Sequence, residues 1–420
     1  MFSTIDAPIF YAEEYISLIT SYILPIVLLG TLIYFAWRYW IRYLNAHYIS
    51  EMKWSLMEIK IPKDVFKSPL AMELVFNALY QTGGHGNWLA KFWQGGVRSW
   101  FSLEIASIEG HIHFFIRTQT KFKAIIESQI YAQYPQAEVA EVDDYTRVVP
   151  SYVKDGAWEM SGTEFILSKD DPYPIKTYID FGLDQAVGRL EEAERIDPIT
   201  STLEYMGSIG VGEQIWFQII VRAAQDRWMN SKGELASWQK QGRELVNAML
   251  KKYSDKEIEY DDKGEKKKHK VGGYSNMPPN EKLLVDAIER SVSKLGFDVG
   301  IRAIYVGKKE KYNAGIASGL GGILRQYTTT DFNSFKGDRG TGVDFPWEDI
   351  FGTVVPGKKA GILKAYRLRG WFYHPFNRKP YILNTEELAT IFHFPGRVLE
   401  TPSFQRIDSK KVDAPANLPL

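Results

Sequence analysis

The stretch YISLITSYILPIVLLGTLIYFAW, residues 15–37, contains no charged residue and decides the architecture of the chain. At about 1.5 Å of rise per residue, a helix of this length crosses the roughly 30 Å hydrocarbon core of a bilayer. Aromatic residues crowd both ends, as expected where amphipathic rings meet lipid headgroups. We therefore predict a transmembrane helix and juxtamembrane segment over residues 15–45. The predicted membrane-interface residues are Tyr15, Trp37, Arg38, Trp40 and Arg42.

The charges that flank this stretch predict its orientation. Acidic Asp6, Glu13 and Glu14 precede it, and two arginines follow it. Because basic residues are retained on the cytoplasmic side, residues 1–14 are expected outside and the remainder of the chain in the cytoplasm. A cleaved signal peptide is the alternative. It would have a basic leading flank, a shorter apolar run and a small-residue cleavage site.

Composition excludes several classes of function for the remaining residues. The hydrophobic content of 45% and aromatic content of 14% indicate folded domains. The 51 basic residues balance the 51 acidic ones, so no overall field attracts nucleic acid, and direct nucleic-acid binding is not expected. The chain has no cysteine, which excludes disulfides, thiolate zinc sites and cysteine nucleophiles.

Residues 54–150 show a β-α-β-β-α-β order, which is that of a ferredoxin-like unit. The apolar residues alternate in the strands and recur every three or four positions in the helices. The predicted strands are Trp54–Ile61, Trp100–Ile108, His111–Thr118 and Glu138–Val142. The predicted helices are Pro69–Tyr80 and Lys121–Tyr134.

Residues 156–330 predict a second ferredoxin-like unit, so the fold class is α+β. The predicted strands are Thr163–Leu167, Gln214–Ala223 and Phe297–Val306. The predicted helices begin at Asp197, Glu234 and Glu281. The charged tract 255–279 is interpreted as a solvent-exposed linker inserted in this unit. Residues 331–420 form an aromatic, turn-rich C-terminal region with a proline-rich tail.

The sequence predicts no catalytic, cofactor or metal site, and therefore no enzyme. No G-x-x-x-x-G-K-[ST] motif is present to hold nucleotide phosphates. His111 and His113 share one face of a predicted strand, but a zinc site needs at least a third ligand. Close packing is the expected reason for a glycine cluster in an apolar, helix-like stretch. That cluster consists of Gly315, Gly319, Gly321 and Gly322.

Three stretches together carry a resemblance to a known family. They are KAIIESQIYAQYPQAEV at Lys123–Val139, LNTEELATIFHFP at Leu383–Pro395 and TPSFQRIDSKKVDAPANLP at Thr401–Pro419. This set resembles the membrane-anchored, non-ATPase N-terminal region of type IV secretion and conjugation-type ATPases, the HerA/FtsK-like DNA pumps. In those proteins the last two stretches lead into the motor domain, whereas this chain ends at Leu420.

The resemblance implies a single-pass adaptor in a prokaryotic inner membrane that docks a separate P-loop ATPase. The residues it implies for partner docking are Asn384, Thr385, Glu386, Glu387, Leu388, His393, Phe394 and Pro395. Thr385 before two glutamates also predicts the start of a helix, with its hydroxyl as the cap. The alternative for this segment is that it only seals the core of its own domain. The alternative for the protein is a scaffold that self-assembles through edge strands into a homo-oligomer.

Overall fold

The computed structural model describes residues 19–62, 67–80, 89, 92–184, 197–226, 228–229, 235–253, 255–260, 266–271 and 273–395. The contacts within the chain divide it into two compact units. The first unit is Met1–Met52 with Gly83–Arg98, and the second is Lys53–Thr82 with Ser99–Leu420.

The first unit contains one long helix. A π-helical turn at Ile19–Ile23 leads into α1, Leu24–Glu51. The helical span Thr20–Glu51 is the one helix of the described residues that is long and apolar enough to cross a membrane, and none of its apolar window is buried. An apolar helix is therefore confirmed over the described part of residues 15–45, and it continues to Glu51, whereas its crossing of a membrane stays a prediction. The predicted interface residue Tyr15 lies outside the described residues.

The first half of the second unit matches the predicted elements within two residues. Its strands are β1 Trp54–Lys60, β2 Phe101–Ile108, β3 His111–Gln119 and β4 Glu138–Glu141. Its helices are α2 Leu70–Leu79 and α3 Lys123–Gln133. The strands lie in the order β2-β3-β1-β4, and each pairs antiparallel with its neighbours.

The second half adds longer strands and more helices. In chain order it contains β5 Trp158–Leu167, α4 Ile199–Gly207, β6 Glu213–Ala223, β7 Trp228–Met229, β8 Leu235–Ala236, α5 Trp238–Lys252, β9 Asp255–Tyr260, β10 Lys266–Val271, α6 Pro279–Val292 and β11 Gly296–Lys308. The C-terminal region supplies α7 Ala314–Gly319, β12 Phe335–Gly340, α8 Val354–Arg367, β13 Tyr381–Asn384 and α9 Thr385–Ile391. The main strands lie in the order β12-β5-β11-β6, again antiparallel, and β13 also pairs with β11.

The two halves join edge to edge in one sheet. Strand β2 pairs with β6 from Phe101↔Val221 to Ile108↔Gln214, which makes the sheet nine-stranded. Strand β6 places Ile219 in the larger core on one face and Trp216 in a smaller core on the other. Both faces of these central strands are therefore covered, which explains their nearly continuous apolar sequences.

The structure corrects the interpretation of residues 255–279. Strands β9 and β10 pair with each other as an antiparallel hairpin, and α6 begins at Pro279. The tract is therefore not a simple linker, because most of its described backbone forms a two-stranded ladder.

The glycine cluster has a packing explanation at two positions. A Cβ atom at Gly319 would lie 2.9 Å from the ring of Tyr205, whereas Gly321 and Gly322 face open space. At Gly315 a Cβ atom would lie 3.1 Å from Oδ1 of Asn313, so the close-packing interpretation holds for Gly319 and Gly315 but not for the other two glycines.

Candidate functional site

The predicted docking segment begins with a capped helix. The Asn384 side chain accepts the backbone N–H of Glu387 at 2.9 Å, and the Glu387 carboxylate accepts the backbone N–H of Asn384 at 2.9 Å. This reciprocal pair is a capping box, which satisfies two N–H groups at the start of α9. The helix start was predicted, but the cap was assigned to the wrong residue. Thr385 instead donates its hydroxyl hydrogen to Glu73 at 3.1 Å.

Glu386 is the centre of a buried ionic network. Its carboxylate lies 3.0 Å from Nε of Arg290 and 2.9 Å from Nζ of Lys294. Lys294 also binds Glu73 of α2, at 2.7 Å, so the network connects α9, α6 and α2. Burial would lower the pKa of Arg290, but the carboxylates of Glu386 and Asp180 outweigh it and raise the pKa. Paired in this way, the charges bind the C-terminal segment to both halves of the sheet.

Glu387 is a second buried carboxyl group with a different environment. Burial, with the charges of Glu386 and Asp171, raises its pKa to about 8, although backbone N–H groups of Asn384 and Ile175 act in the opposite direction. The N–H of Ile175 reaches the Glu387 carboxyl at 2.9 Å. The folded protein therefore holds the Glu387 proton more tightly than an exposed glutamate would.

His393 and Phe394 complete the segment from inside the fold. The Nε2 atom of His393 lies 3.1 Å from both carboxylate oxygens of Asp197, and its Nδ1 lies 2.8 Å from the carbonyl oxygen of Ala389. Phe394 packs on Phe114 with ring centroids 5.1 Å apart. Hydrogen bonds inside the fold explain the buried position of His393, and ring packing explains that of Phe394.

All eight predicted docking residues are buried. Asn384, Glu386 and His393 are each 1% exposed, so their side chains present no surface to a partner in this conformation. The burial favours the alternative that the segment seals the core of its own domain. Docking by these residues stays a prediction.

A second ionic network lies on the opposite face of the sheet, under α8. Arg369 binds Glu104 with two hydrogen bonds, of 2.9 and 3.1 Å, and it also pairs with Asp144. Tyr145 donates its hydroxyl hydrogen to Glu104 at 2.8 Å. Burial would raise the pKa of Glu104, but the Arg369 guanidinium outweighs it and lowers the pKa. The network holds the loop after α8 against β2.

Three cavities at the surface of the described residues are lined by charged side chains. Two of them, of about 630 and 690 Å³, share Glu164, Asp338 and Arg339 beside β12. The third, of about 440 Å³, lies beside Arg117 and Asp144. All three mix acidic and basic side chains. Among the residues placed by the structure, no three His, Asp or Glu side chains converge as metal ligands, and His113 instead binds Glu58 at 2.6 Å.

An exposed apolar surface escaped the sequence reasoning. It consists of Phe345, Trp347, Ile350 and Phe351, which we call the apolar loop. Trp347 is 66% and Phe351 is 88% exposed. The rings of Phe345 and Trp347 stack on each other at 4.6 Å rather than on the core. The sequence signal was only an aromatic, turn-rich composition, which does not distinguish an exposed ring from a buried one.

One protein-family model matches the part of the chain that forms most of the sheet. Residues 51–337 match the model of a family described as a domain of unknown function, DUF8128. The chain belongs to this family. The DUF8128 match covers β1 to the first residues of β12, and it leaves out α1, α8, α9 and the apolar loop. No curated protein matches the sequence.

Proposed function

We propose that this DUF8128 protein is a single-pass membrane adaptor of a type IV secretion- or conjugation-like translocation machine, and that it docks a separate P-loop ATPase. One observation carries the proposal. No residue of the apolar window within Thr20–Glu51 is buried by protein, and two residues separate the end of this helix from strand β1 of the second unit. A helix of this kind requires lipid around it. The anchor would hold the domain at the membrane and raise its effective concentration for a membrane-bound partner.

The strand orders support the predicted pair of ferredoxin-like units. In the first half, the fourth strand lies beside the first, followed by the third and the second. The order β12-β5-β11-β6 repeats this arrangement in the second half. The second ferredoxin-like unit carries β7, β8, α5, β9, β10 and α6 between its second and third strands. Because β2 pairs with β6, the two ferredoxin-like units would form one rigid platform for a partner.

The polar groups of the described residues support binding rather than catalysis. Glu104, Glu386 and Arg369 are all used in buried ion pairs inside the domain. ATP hydrolysis belongs to the partner in this proposal.

The alternative scaffold is less well supported by the sheet edges. The edge strand β12 carries Lys336, Asp338 and Arg339 and has a register shift, and the other edge, β4, has four residues flanked by Glu138 and Glu141. Charges, short length and irregular pairing are features that prevent edge-to-edge association. Assembly through these edges is therefore the weaker proposal.

The test is affinity purification of the tagged full chain from its native membranes in mild detergent, followed by mass spectrometry. The proposal expects a P-loop ATPase to co-purify, and to be absent from a parallel preparation of an unrelated single-pass protein. Recovery of the chain alone, or of a homo-oligomer without an ATPase, would contradict it. A homo-oligomer would favour the scaffold.

A further inference from the structure

The apolar loop is built to remain outside the core. The loop contains a 3-10 turn at Pro346–Asp349 and a left-handed glycine, Gly352 with φ of 61°, and its aromatic and aliphatic side chains are exposed. An unpaired apolar surface of this kind normally marks a contact with protein or membrane. We propose that this loop inserts into the interfacial layer of the bilayer that carries α1, as a second point of membrane contact.

The composition of the loop favours lipid. Tryptophan and phenylalanine occupy the headgroup layer preferentially, where an apolar ring is buried while polar neighbours stay hydrated. Trp347, Ile350 and Phe351 are exposed within five residues of one another. Because a bilayer accepts side chains without shape complementarity, a short protruding loop suffices for this contact, whereas a stable protein interface requires a larger matched surface.

Two lysines at the base of the loop can bind lipid phosphates. Lys154 donates to the carbonyl oxygen of Gly352 at 2.9 Å, and Lys358 donates to that of Gly342 at 2.9 Å, so two exposed ammonium groups lie at the base of the loop. The Asp349 carboxylate accepts the backbone N–H groups of Val354 and Val355, at 2.8 and 3.1 Å. Glu348 accepts the N–H of Asp344 at 3.4 Å. Backbone N–H groups of the loop bind these carboxylates, and each ammonium group uses one of its three N–H donors within the chain, so the others can be donated to lipid phosphates.

The backbone of the loop is also partly prepared for a low-polarity environment. The N–H of Glu348 bonds to the carbonyl of Phe345 at 3.1 Å, and the N–H of Gly352 bonds to that of Asp349 at 3.0 Å. Internal pairing of this kind reduces the cost of removing polar groups from water. The inference uses the proposed anchoring of α1, because the short connection to β1 keeps the second unit within reach of the membrane.

The test uses the full chain in nanodiscs of phosphatidylcholine and phosphatidylglycerol. The natural chain has no cysteine, so single-cysteine variants can each carry one polarity-sensitive fluorophore. Phe351→Cys reports on the loop. Val211→Cys is the matched control, since Val211 is an apolar residue of the same unit that is 73% exposed. Leu29→Cys reports on α1 within the bilayer. Each labelled protein is compared in nanodiscs with and without spin-labelled lipids.

The proposal expects the labels at Phe351 and Leu29 to lose fluorescence when spin-labelled lipid is present, and the label at Val211 to keep it. A Phe351 label that behaves like the Val211 label overturns the inference while the Leu29 result still supports the anchor. The loop is then a surface for a protein partner. If spin-labelled lipid does not quench the Leu29 label either, the anchoring of α1 is refuted, and with it the basis of the inference.

Discussion

Replacement of Arg369 by methionine should destabilise the second unit strongly. Arg369 is 1% exposed and Glu104 is fully buried, so Arg369→Met leaves the Glu104 carboxylate without its cation in the protein interior. Breaking a buried ion pair from one side costs about 3–5 kcal/mol. Ser102, Tyr145 and Gln218 still donate hydrogen bonds to Glu104, which moves the expected loss toward the lower end, about 3 kcal/mol.

The assay is urea unfolding of the full chain in mild detergent at neutral pH, followed by tryptophan fluorescence. The control is the double variant Glu104→Gln/Arg369→Met, which removes the carboxylate as well. The double variant should lose less stability than Arg369→Met alone, because the fully buried carboxylate is gone, whereas the partly exposed Asp144 loses Arg369 in both variants. A loss of less than about 0.5 kcal/mol in Arg369→Met, which is the range of ordinary surface substitutions, would refute the reasoning.

The same network predicts a dependence on pH. In the natural chain the pKa of Glu104 is lowered by Arg369, so its contribution to stability is present above the unfolded pKa and lost as the pH falls through the folded value. In Arg369→Met, the guanidinium no longer offsets burial, so the pKa of the Glu104 carboxyl group should rise, although Ser102 and Tyr145 still donate hydrogen bonds that lower it. The cost of the substitution should therefore shrink as the pH is lowered. A cost that grows on acidification would contradict the assigned cause.

Two further predictions concern other buried positions. A Cβ atom at Gly300 would lie 2.0 Å from the Trp371 ring, so Gly300→Ala should cost about 1–3 kcal/mol in urea unfolding, whereas Gly361→Ala, in α8 with open space around it, should stabilise by about 0.5–1 kcal/mol. Equal effects of the two alanines would contradict the packing argument. Because the pKa of Glu387 is raised from 4.5 to about 8, the folded state holds a proton that the unfolded chain releases, and stability should decline as the pH rises through this window. The decline should be smaller in Glu387→Gln, and an unchanged profile would show that another group titrates.

The elements of the fold follow from local sequence pattern, but their pairing does not. The alternation of Ile112, Phe114 and Ile116 predicts β3, and the uncharged run to Trp37 predicts α1. Strands β2 and β6 are both apolar over most of their length, and nothing local indicates that they pair across 100 residues of chain. The hairpin of β9 and β10 was missed because lysine and glutamate conceal its alternation.

In the candidate site, too, local sequence predicts some features and not others. The start of α9 is predictable because Asn384, Thr385 and the two glutamates are strong helix-starting residues. The burial of Glu386 is not predictable, since its partners Arg290 and Lys294 lie more than 90 positions earlier in the chain. An exposed carboxylate and a paired buried one are identical in sequence. For the same reason, the exposure of Phe351 became visible only in the structure.

We propose that α1 crosses the membrane and leaves the second unit in the cytoplasm. Single cysteines at Ser3 and Val211 test it directly, with a membrane-impermeant maleimide applied to intact and permeabilised cells. The account predicts labelling of Ser3→Cys in intact cells, labelling of Val211→Cys only after permeabilisation, and retention of both proteins in membranes washed with alkaline carbonate. Labelling of Val211→Cys in intact cells, or release of the protein by carbonate, would contradict it.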